Sequence, residues 1–289
     1  SGNKIIGGFN NKATASNSGV LAGDGNLASG NGSAILGGSL NVASYAGAVV
    51  GGGTCNQASN GTSAILGGQF NVAKFVSVVV GGTTNTASGL RSIVGAGRCN
   101  QAEGTDSTVV GGFSGGAIGT NSFIGGGKIN VANGTNSSVV GGLSSIASGT
   151  NSFVGGGNGN VASGIESSVV GGLSSTASGN KSSVVGGCHN KATGTYSFIG
   201  GGESNRATGY QSFVGGGQNN ISSANRTTVA GGIGVDATAN CATAVGGQIN
   251  IASGFHSFVG GGCKNTASNN CSVVAGGRCN TASGNRSFV

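Results

Sequence analysis

The chain has 289 residues, of which 65 are glycine and none is proline, methionine or tryptophan, and its net charge is +7. Collagen is excluded, because glycine does not fall at every third residue and proline is missing. Disorder is disfavoured, because only 7% of the residues are charged while Val, Ile and Ala recur in register. No apolar run approaches the roughly 18 residues of a membrane-spanning helix.

A unit of 15 residues repeats along the chain. One copy runs from Asn121 to Thr135, and we number its residues as repeat positions 1 to 15. Position 12 is alanine in 18 of 19 copies, with Ser222 as the exception, and one residue is lost between Ala73 and Ala87. A short fixed period is typical of a solenoid, in which each unit buries its apolar side by stacking on the next.

The order of residue types within the unit predicts two strands and two turns. Val or Ile fills position 4 in 18 of 19 units, which predicts a strand over positions 2–5. Position 7 is always Gly, and position 6 is Gly in all but two units, which predicts a turn that needs positive φ or close backbone approach. We expect a second strand over about positions 8–12 and a second turn over positions 13–15.

The fold class that follows is all-β: a parallel β-roll or β-solenoid of about 19 coils, with a 15-residue repeat and two short strands per coil. We expect residues 1–289 to form a single repeat-built rod and to be a fragment of a longer chain. The recurring Asn at position 10 is expected to stack as an amide ladder, a structural role rather than a binding one.

Positions 3 and 5 exchange bulk. Phe at position 3 always accompanies Gly at position 5, as in Phe123 with Gly125, whereas Ser138 accompanies Val140. The two positions share one face of the strand, so the exchange keeps the filled volume level, as a packed interior requires. Since position 4 points the other way, the strand is expected to be buried on both faces. We infer a homo-oligomer, best a trimer; an extra layer from the parent protein is the alternative.

The charged and cysteine residues carry no clear site. Basic residues lie at variable positions, which favours a solvated surface over a polyanion site. Cys241 and Cys271 lie two units apart, about 9.6 Å at one strand spacing per unit, too far for a disulfide. A Cys263–Cys279 bridge is conceivable, but free thiols filling small sites are preferred. The seven cysteines are Cys55, Cys99, Cys188, Cys241, Cys263, Cys271 and Cys279.

No catalytic constellation is evident. His189 and His256 lie more than 60 residues apart at different repeat positions, and no Cys-x-x-Cys motif occurs. Glu103 and Asp106 lie close together, but neither a second acidic pair nor a histidine accompanies them. We therefore expect no enzyme, and no catalytic, cofactor-binding or metal-binding residue. The six acidic residues are Asp24, Glu103, Asp106, Glu166, Glu203 and Asp236.

The repeat pattern resembles a known family of surface proteins. Asn-Ser-Phe-Val-Gly at 151–155, followed by Asn-Val-Ala-Ser-Gly at 160–164, resembles the head repeats of trimeric autotransporter adhesins. The resemblance covers the whole chain and implies a trimeric left-handed β-roll on a bacterial surface that adheres to host matrix or other cells. The unit here is longer than in that family, with an extra Gly at the turn, and the seven cysteines are unusual. A viral or phage fibre, or a eukaryotic filament, therefore stays open.

Two functions follow as hypotheses. The first is a structural and adhesive fibre segment: a rigid extracellular trimeric rod that displays loops to a host or cell surface. Its partners would be copies of itself and a host surface or matrix molecule, with no specific nucleic acid and no membrane contact from this segment. The alternative is an ice-binding β-solenoid, suggested by recurrent Ser at position 2. Against it, position 11 mixes Thr86, Lys191, Arg206 and Asp236.

Overall fold

The computed structural model describes residues 2–289 as an all-β parallel β-solenoid of about 19 coils, with two short strands in each coil. The fold class predicted from the repeat is confirmed. The chain divides into two compact units, one ending at Ser144 and the other spanning Ser145–Val289. No helix in residues 2–289 has the length and apolarity that crossing a membrane requires. The trimer, its handedness and the single rod remain predictions.

The first unit contains strands β1 to β19. Odd-numbered strands lie at repeat positions 3–4 and even-numbered strands at positions 11–12. They are β1 (Lys4–Ile5), β2 (Lys12–Ala13), β3 (Gly19–Val20), β4 (Leu27–Ala28), β5 (Ala34–Ile35), β6 (Val42–Ala43), β7 (Val49–Val50), β8 (Gln57–Ala58), β9 (Ala64–Ile65), β10 (Val72–Ala73), β11 (Val78–Val79), β12 (Thr86–Ala87), β13 (Ile93–Val94), β14 (Gln101–Ala102), β15 (Thr108–Val109), β16 (Gly116–Ala117), β17 (Phe123–Ile124), β18 (Val131–Ala132) and β19 (Ser138–Val139).

The second unit contains strands β20 to β38 in the same alternation. They are β20 (Ile146–Ala147), β21 (Phe153–Val154), β22 (Val161–Ala162), β23 (Ser168–Val169), β24 (Thr176–Ala177), β25 (Ser183–Val184), β26 (Lys191–Ala192), β27 (Phe198–Ile199), β28 (Arg206–Ala207), β29 (Phe213–Val214), β30 (Ile221–Ser222), β31 (Thr228–Val229), β32 (Asp236–Ala237), β33 (Thr243–Ala244), β34 (Ile251–Ala252), β35 (Phe258–Val259), β36 (Thr266–Ala267), β37 (Val273–Val274) and β38 (Thr281–Ala282).

Within each unit, every strand pairs in parallel with the equivalent strand of the neighbouring coil, so like repeat positions stack. Val184 is the register partner of Ile199, for example. Position 8 adds a third column of single-residue parallel bridges, such as Cys188 with Glu203. The missing residue is absorbed at a corner: Phe75 and Val76 are consecutive with φ of 53° and 65°, and the strands on either side keep their register.

The predicted second strand is interrupted. It begins only at position 11, because the residue at position 9 adopts a left-handed backbone conformation whatever its type. Ile129 and His189, for example, both have φ of 57°. This left-handed conformation bends the chain between the bridge at position 8 and the strand. Asn at position 10 is buried in the interior of the coil. Position 1 is left-handed in most coils too, so the second turn extends to that position.

The interior is narrow and partly polar. Position 4 supplies Val or Ile and position 12 supplies Ala, fully buried in nearly every coil. The largest fully buried side chains in residues 2–289 are isoleucines such as Ile124 and Ile199. Position 2 adds buried Ser and position 10 adds buried Asn. Where position 12 is Ser222, its hydroxyl lies 2.7 Å from Thr227 Oγ1, so a neighbouring polar residue matches the exception.

Where position 10 is Asn, its side chain ties the coil to its neighbours, mostly through backbone groups; Gly115, Ser145, Ser175 and Val235 take this position in the other four coils. Asn205 Nδ2 donates to the carbonyl oxygens of Gly201 and Gly217, both at 2.9 Å. The backbone N–H of Asn205 donates to Asn190 Oδ1 at 2.9 Å, and Asn205 Oδ1 accepts the N–H of Asn220 at 3.0 Å. The predicted structural role therefore fits, but the side chains bond mainly to backbone groups; amide-to-amide hydrogen bonds occur from Asn26 to Asn11 and from Asn41 to Asn26, both at 3.1 Å.

Gly at position 7 makes this arrangement possible. Gly202 has φ of 84°, and a Cβ atom built on it would overlap the carbonyl oxygen of Gly217 and lie 2.7 Å from Asn205 Nδ2. The invariance of position 7 thus has two causes, a left-handed backbone and close packing between coils. A Cβ atom built on Gly201, at position 6, would have no neighbouring atom within 4 Å.

We predict that Asn205→Ala lowers the free energy of unfolding by about 2–5 kcal/mol, because it leaves buried backbone donors and acceptors without hydrogen-bond partners. Chemical denaturation followed by circular dichroism measures the change. Ser212→Ala is the matched control: its buried hydroxyl has no hydrogen-bond partner among residues 2–289, and Ala48 and Ala242 occupy position 2 naturally. The control should cost less than about 1 kcal/mol. Equal losses in both variants would contradict the role assigned to the Asn column.

We predict that Gly202→Ala destabilises the protein by at least about 2 kcal/mol through strain and overlap with the next coil. Gly201→Ala, in the same turn, should change stability by about 0.5 kcal/mol or less, because position 6 carries Ala22 and Ala96 elsewhere. Thermal unfolding of the two variants side by side measures the difference. A Gly202→Ala variant as stable as Gly201→Ala would show that neither the positive φ nor the contact with the next coil fixes this turn.

Candidate functional site

An apolar face lies on the outer side of the odd-numbered strands in each unit. Positions 3 and 5 point away from the interior, opposite to the buried position 4. Val140 and Val170, both at position 5, keep 49% and 50% of their surface exposed, and Leu66 keeps 57%. Contiguous apolar surface of this kind marks an interaction site in many proteins.

The Phe–Gly exchange is explained within one chain. A Cβ atom built on Gly155 would lie 3.3 Å from Phe153 Cε1, so the Phe ring covers the glycine two residues further along its own strand. The rings of Phe198 and Phe213, in adjacent strands, stack with centroids 5.4 Å apart. Phe and Gly in one coil thus occupy the positions that Ser and Val occupy in another.

The single chain buries one face of the strand, and burial of the second face by a partner stays a prediction. In the single chain only position 4 faces the interior; Phe153 and Phe213 remain 37% and 39% exposed. The exchange of bulk between positions 3 and 5 is what packing of a partner against this face requires.

The serines at position 2, which suggested ice binding, point inward. Ser167, Ser182 and Ser197 are each 1% exposed. They cannot form a surface row that contacts ice. A row of hydroxyl residues that does not point inward lies at position 13 of the second unit, which is Ser or Thr in every coil from Ser148 to Ser283.

Histidines and acids lie apart on the surface. His189 is at position 9, and His256 is at position 1, where its ring packs against Phe255 with centroids 4.2 Å apart. Asp106 pairs with Arg91 rather than with Glu103. Burial raises the pKa of the half-buried Asp236 carboxyl. In residues 2–289 no cluster of three or more His, Cys, Asp or Glu side chains could hold a metal ion.

All seven cysteines are free thiols. Cys271 and Cys279 are exposed and the other five are half-buried, so they occupy the outer positions 1, 8 and 9 rather than small interior sites. The Cys263–Cys279 bridge is not formed; Cys263 Sγ lies 4.0 Å from Gln248 Oε1, in the preceding coil. The cysteines therefore contribute little to the core.

A second surface feature was missed from the sequence. Lys191 and Arg206 are both at position 11 and are register partners on the adjacent strands β26 and β28. With His189 and the hydroxyl of Ser204 they line a shallow depression. The signal was present: two cations 15 residues apart at one repeat position must be neighbours in a stacked coil. The basic residues as a whole lie at several repeat positions, and this pair is evident only when each position is followed from coil to coil.

Comparison of the chain with protein-family models finds no match, and comparison with curated proteins finds none either.

The position-1 corner carries a charge pair with a testable pKa effect. Arg91 donates to both Asp106 oxygens, Nε to Oδ1 at 2.6 Å and Nη2 to Oδ2 at 2.5 Å. These hydrogen bonds, with the positive charge, lower the pKa of Asp106. A carboxyl with a lowered folded-state pKa favours folding above its unfolded pKa, and that contribution is lost as pH falls through the folded pKa.

We predict that Arg91→Gln raises the pKa of Asp106 toward its ordinary value, because the charged hydrogen-bond donor is removed. Carboxyl-carbon NMR titration measures this. Arg98→Gln, which removes a charge in the adjacent turn, serves as the control and should leave Asp106 unchanged. An Asp106 pKa that does not respond to Arg91→Gln would rule out the pair in solution.

Proposed function

We propose that this chain is a segment of an extracellular structural and adhesive fibre. Copies of the chain would associate through the apolar face at positions 3 and 5, most simply as a homotrimer. The corner residues would then be displayed toward a host surface, a cell surface or a matrix molecule. The exposed apolar face is the single observation that carries this proposal.

The regularity of the face favours a copy of the chain as the occupant. In each unit the face repeats once per strand, about every 4.8 Å, over many coils. A partner that matches it along its length needs the same axial repeat, which a second copy has by construction. Three copies can enclose a narrow apolar axis, as the resemblance to trimeric adhesin heads also implies.

The corners suit a display role. Positions 1, 8 and 9 carry the most varied residues and lie outside the interior, so they can change without disturbing the stack. Position 1 of the second unit, for example, runs through Glu166, Lys181, Tyr196 and Gln211. Many weak contacts from identical copies would add by avidity. An extracellular location, on a cell surface or a virion fibre, follows from this role.

The association is tested by the mass in solution. Light scattering of the purified chain should give about three times the chain mass of 27.1 kDa. Val170→Lys combined with Val185→Lys places two charges on the proposed interface and should yield a folded monomer, since burying unpaired charge is costly. Ser178→Lys combined with Thr193→Lys adds the same charges to the same coils at position 13, and should leave the mass unchanged.

A wild-type chain that is a stable, well-folded monomer would contradict the proposal, as would equal dissociation of both double variants. In the latter case added charge, not the apolar face, would be responsible. Adhesion itself is measured by attachment of chain-coated beads to cells and matrix-coated surfaces. It should be stronger for the wild type than for the monomeric variant.

Ice binding is the alternative function. The Ser and Thr residues at position 13 of the second unit are the row it would use, but the neighbouring position 11 includes Lys191, Arg206 and Asp236. A surface that mixes long charged side chains with hydroxyls is a poor match to a regular ice plane. We expect no thermal hysteresis from the purified chain; hysteresis at micromolar protein would favour the alternative instead.

A further inference from the structure

The depression on the second unit between positions 9 and 11 has a donor-rich lining. Position 9 contributes hydroxyl, imidazole and amide groups, and position 11 contributes two cations and one isoleucine. None of these side chains is a carboxylate. The lining residues are Ser174, His189, Lys191, Ser204, Arg206, Asn219 and Ile221.

The two cations are held side by side without a carboxylate partner. Lys191 and Arg206 are register partners in parallel strands, a spacing of about 4.8 Å, at which like charges repel. The ion pairs found in residues 2–289 join Arg91 to Asp106 and Lys181 to Glu166, so neither involves these two cations. Glu203, which is in the same coil as Arg206, instead accepts a hydrogen bond from Gln218 at 3.1 Å.

The charge is not a general property of this groove. The equivalent depression in the first unit is lined by one cation, Lys12, with apolar Leu27, Leu40 and Val42. The same backbone therefore carries an uncharged or weakly charged groove in one place and a dicationic one in another. Two unpaired cations with converging neutral donors form the usual chemistry of an oxyanion site.

We propose that this depression binds the sulfate esters of a sulfated polysaccharide. Lys191 and Arg206 would contact sulfate oxygens, and Ser204, His189 and Asn219 would donate further hydrogen bonds. A nucleic acid is the less favoured polyanion, because the depression offers no Phe, Tyr or Trp on which bases could stack. The inference deepens the proposed adhesive function by naming a ligand class, and rests on it for the ligand's extracellular origin.

The affinity of the full chain for heparin, measured by calorimetry at fixed salt, tests the proposal. Lys191→Gln combined with Arg206→Gln should weaken binding by at least about tenfold and reduce the salt dependence. Lys12→Gln combined with Arg98→Gln removes the same charge from the first unit and should change the affinity by less than about twofold. Ser174→Lys adds a third cation to the same lining, at a repeat position that carries Lys264 elsewhere, and should strengthen binding by a few-fold or more, a gain that misfolding cannot imitate.

Three results would overturn the proposal: no heparin binding by the wild type, equal losses in the two double variants, or undiminished binding of desulfated heparin. Equal affinity for double-stranded DNA of matched charge would also overturn it, by indicating general polyanion attraction. None of these results bears on the mass of the assembly. Light scattering on the same samples therefore separates failure of this site from failure of the proposed fibre.

Discussion

In 15 of the 19 coils the stacking depends on an amide at position 10 that serves two coils at once. Each Asn at position 10 is fully buried from Asn26 to Asn265, and its side chain bonds to the turn of its own coil and to the backbone of the next. A buried amide left unpaired costs more than a formed hydrogen bond returns, so the turn and the stacking register are fixed together. Gly at position 7 is required even where position 10 is not Asn, as at Gly172, because a side chain there would overlap the neighbouring coil; where Asn is present it would also displace the amide.

Because the interior is narrow and partly polar, the largest apolar side chains of the odd-numbered strands lie on the outer face. The core holds Val, Ile, Ala, Ser and Asn, and Phe123, Phe153 and Phe198 lie on the outer face. The aromatic and larger aliphatic residues of the odd-numbered strands therefore form a surface that a single chain leaves half-exposed. Stability within the chain comes from burial of the Val, Ile and Ala columns and from the hydrogen bonds between stacked coils. The apolar face is the part of the molecule best suited to a partner, which is why it underlies the proposed association.

The sequence alone was sufficient for the period, the buried position 4 and the turn glycine, since each is an almost invariant residue at a fixed spacing. It could not place the left-handed residue at position 9, because residues as different as Phe70 and His189 adopt that conformation there. The alternation of side chains along a strand also places Phe153 and Gly155 on one face, but it does not show whether that face is exposed or covered by a partner. The pairing of Lys191 with Arg206 appears only when the 15-residue register is applied to the charges.

Residue-resolved amide hydrogen exchange tests the role of the buried Asn column most directly. The N–H groups of Asn205 and Asn220, each bonded to the side-chain oxygen of the preceding coil, should exchange as slowly as the strand amides of Ile199 and Val214. The amide of the exposed corner residue Tyr210 should exchange much faster. Asn205 and Asn220 amides that exchange as fast as Tyr210 would contradict the account, because the column would then not hold one coil to the next.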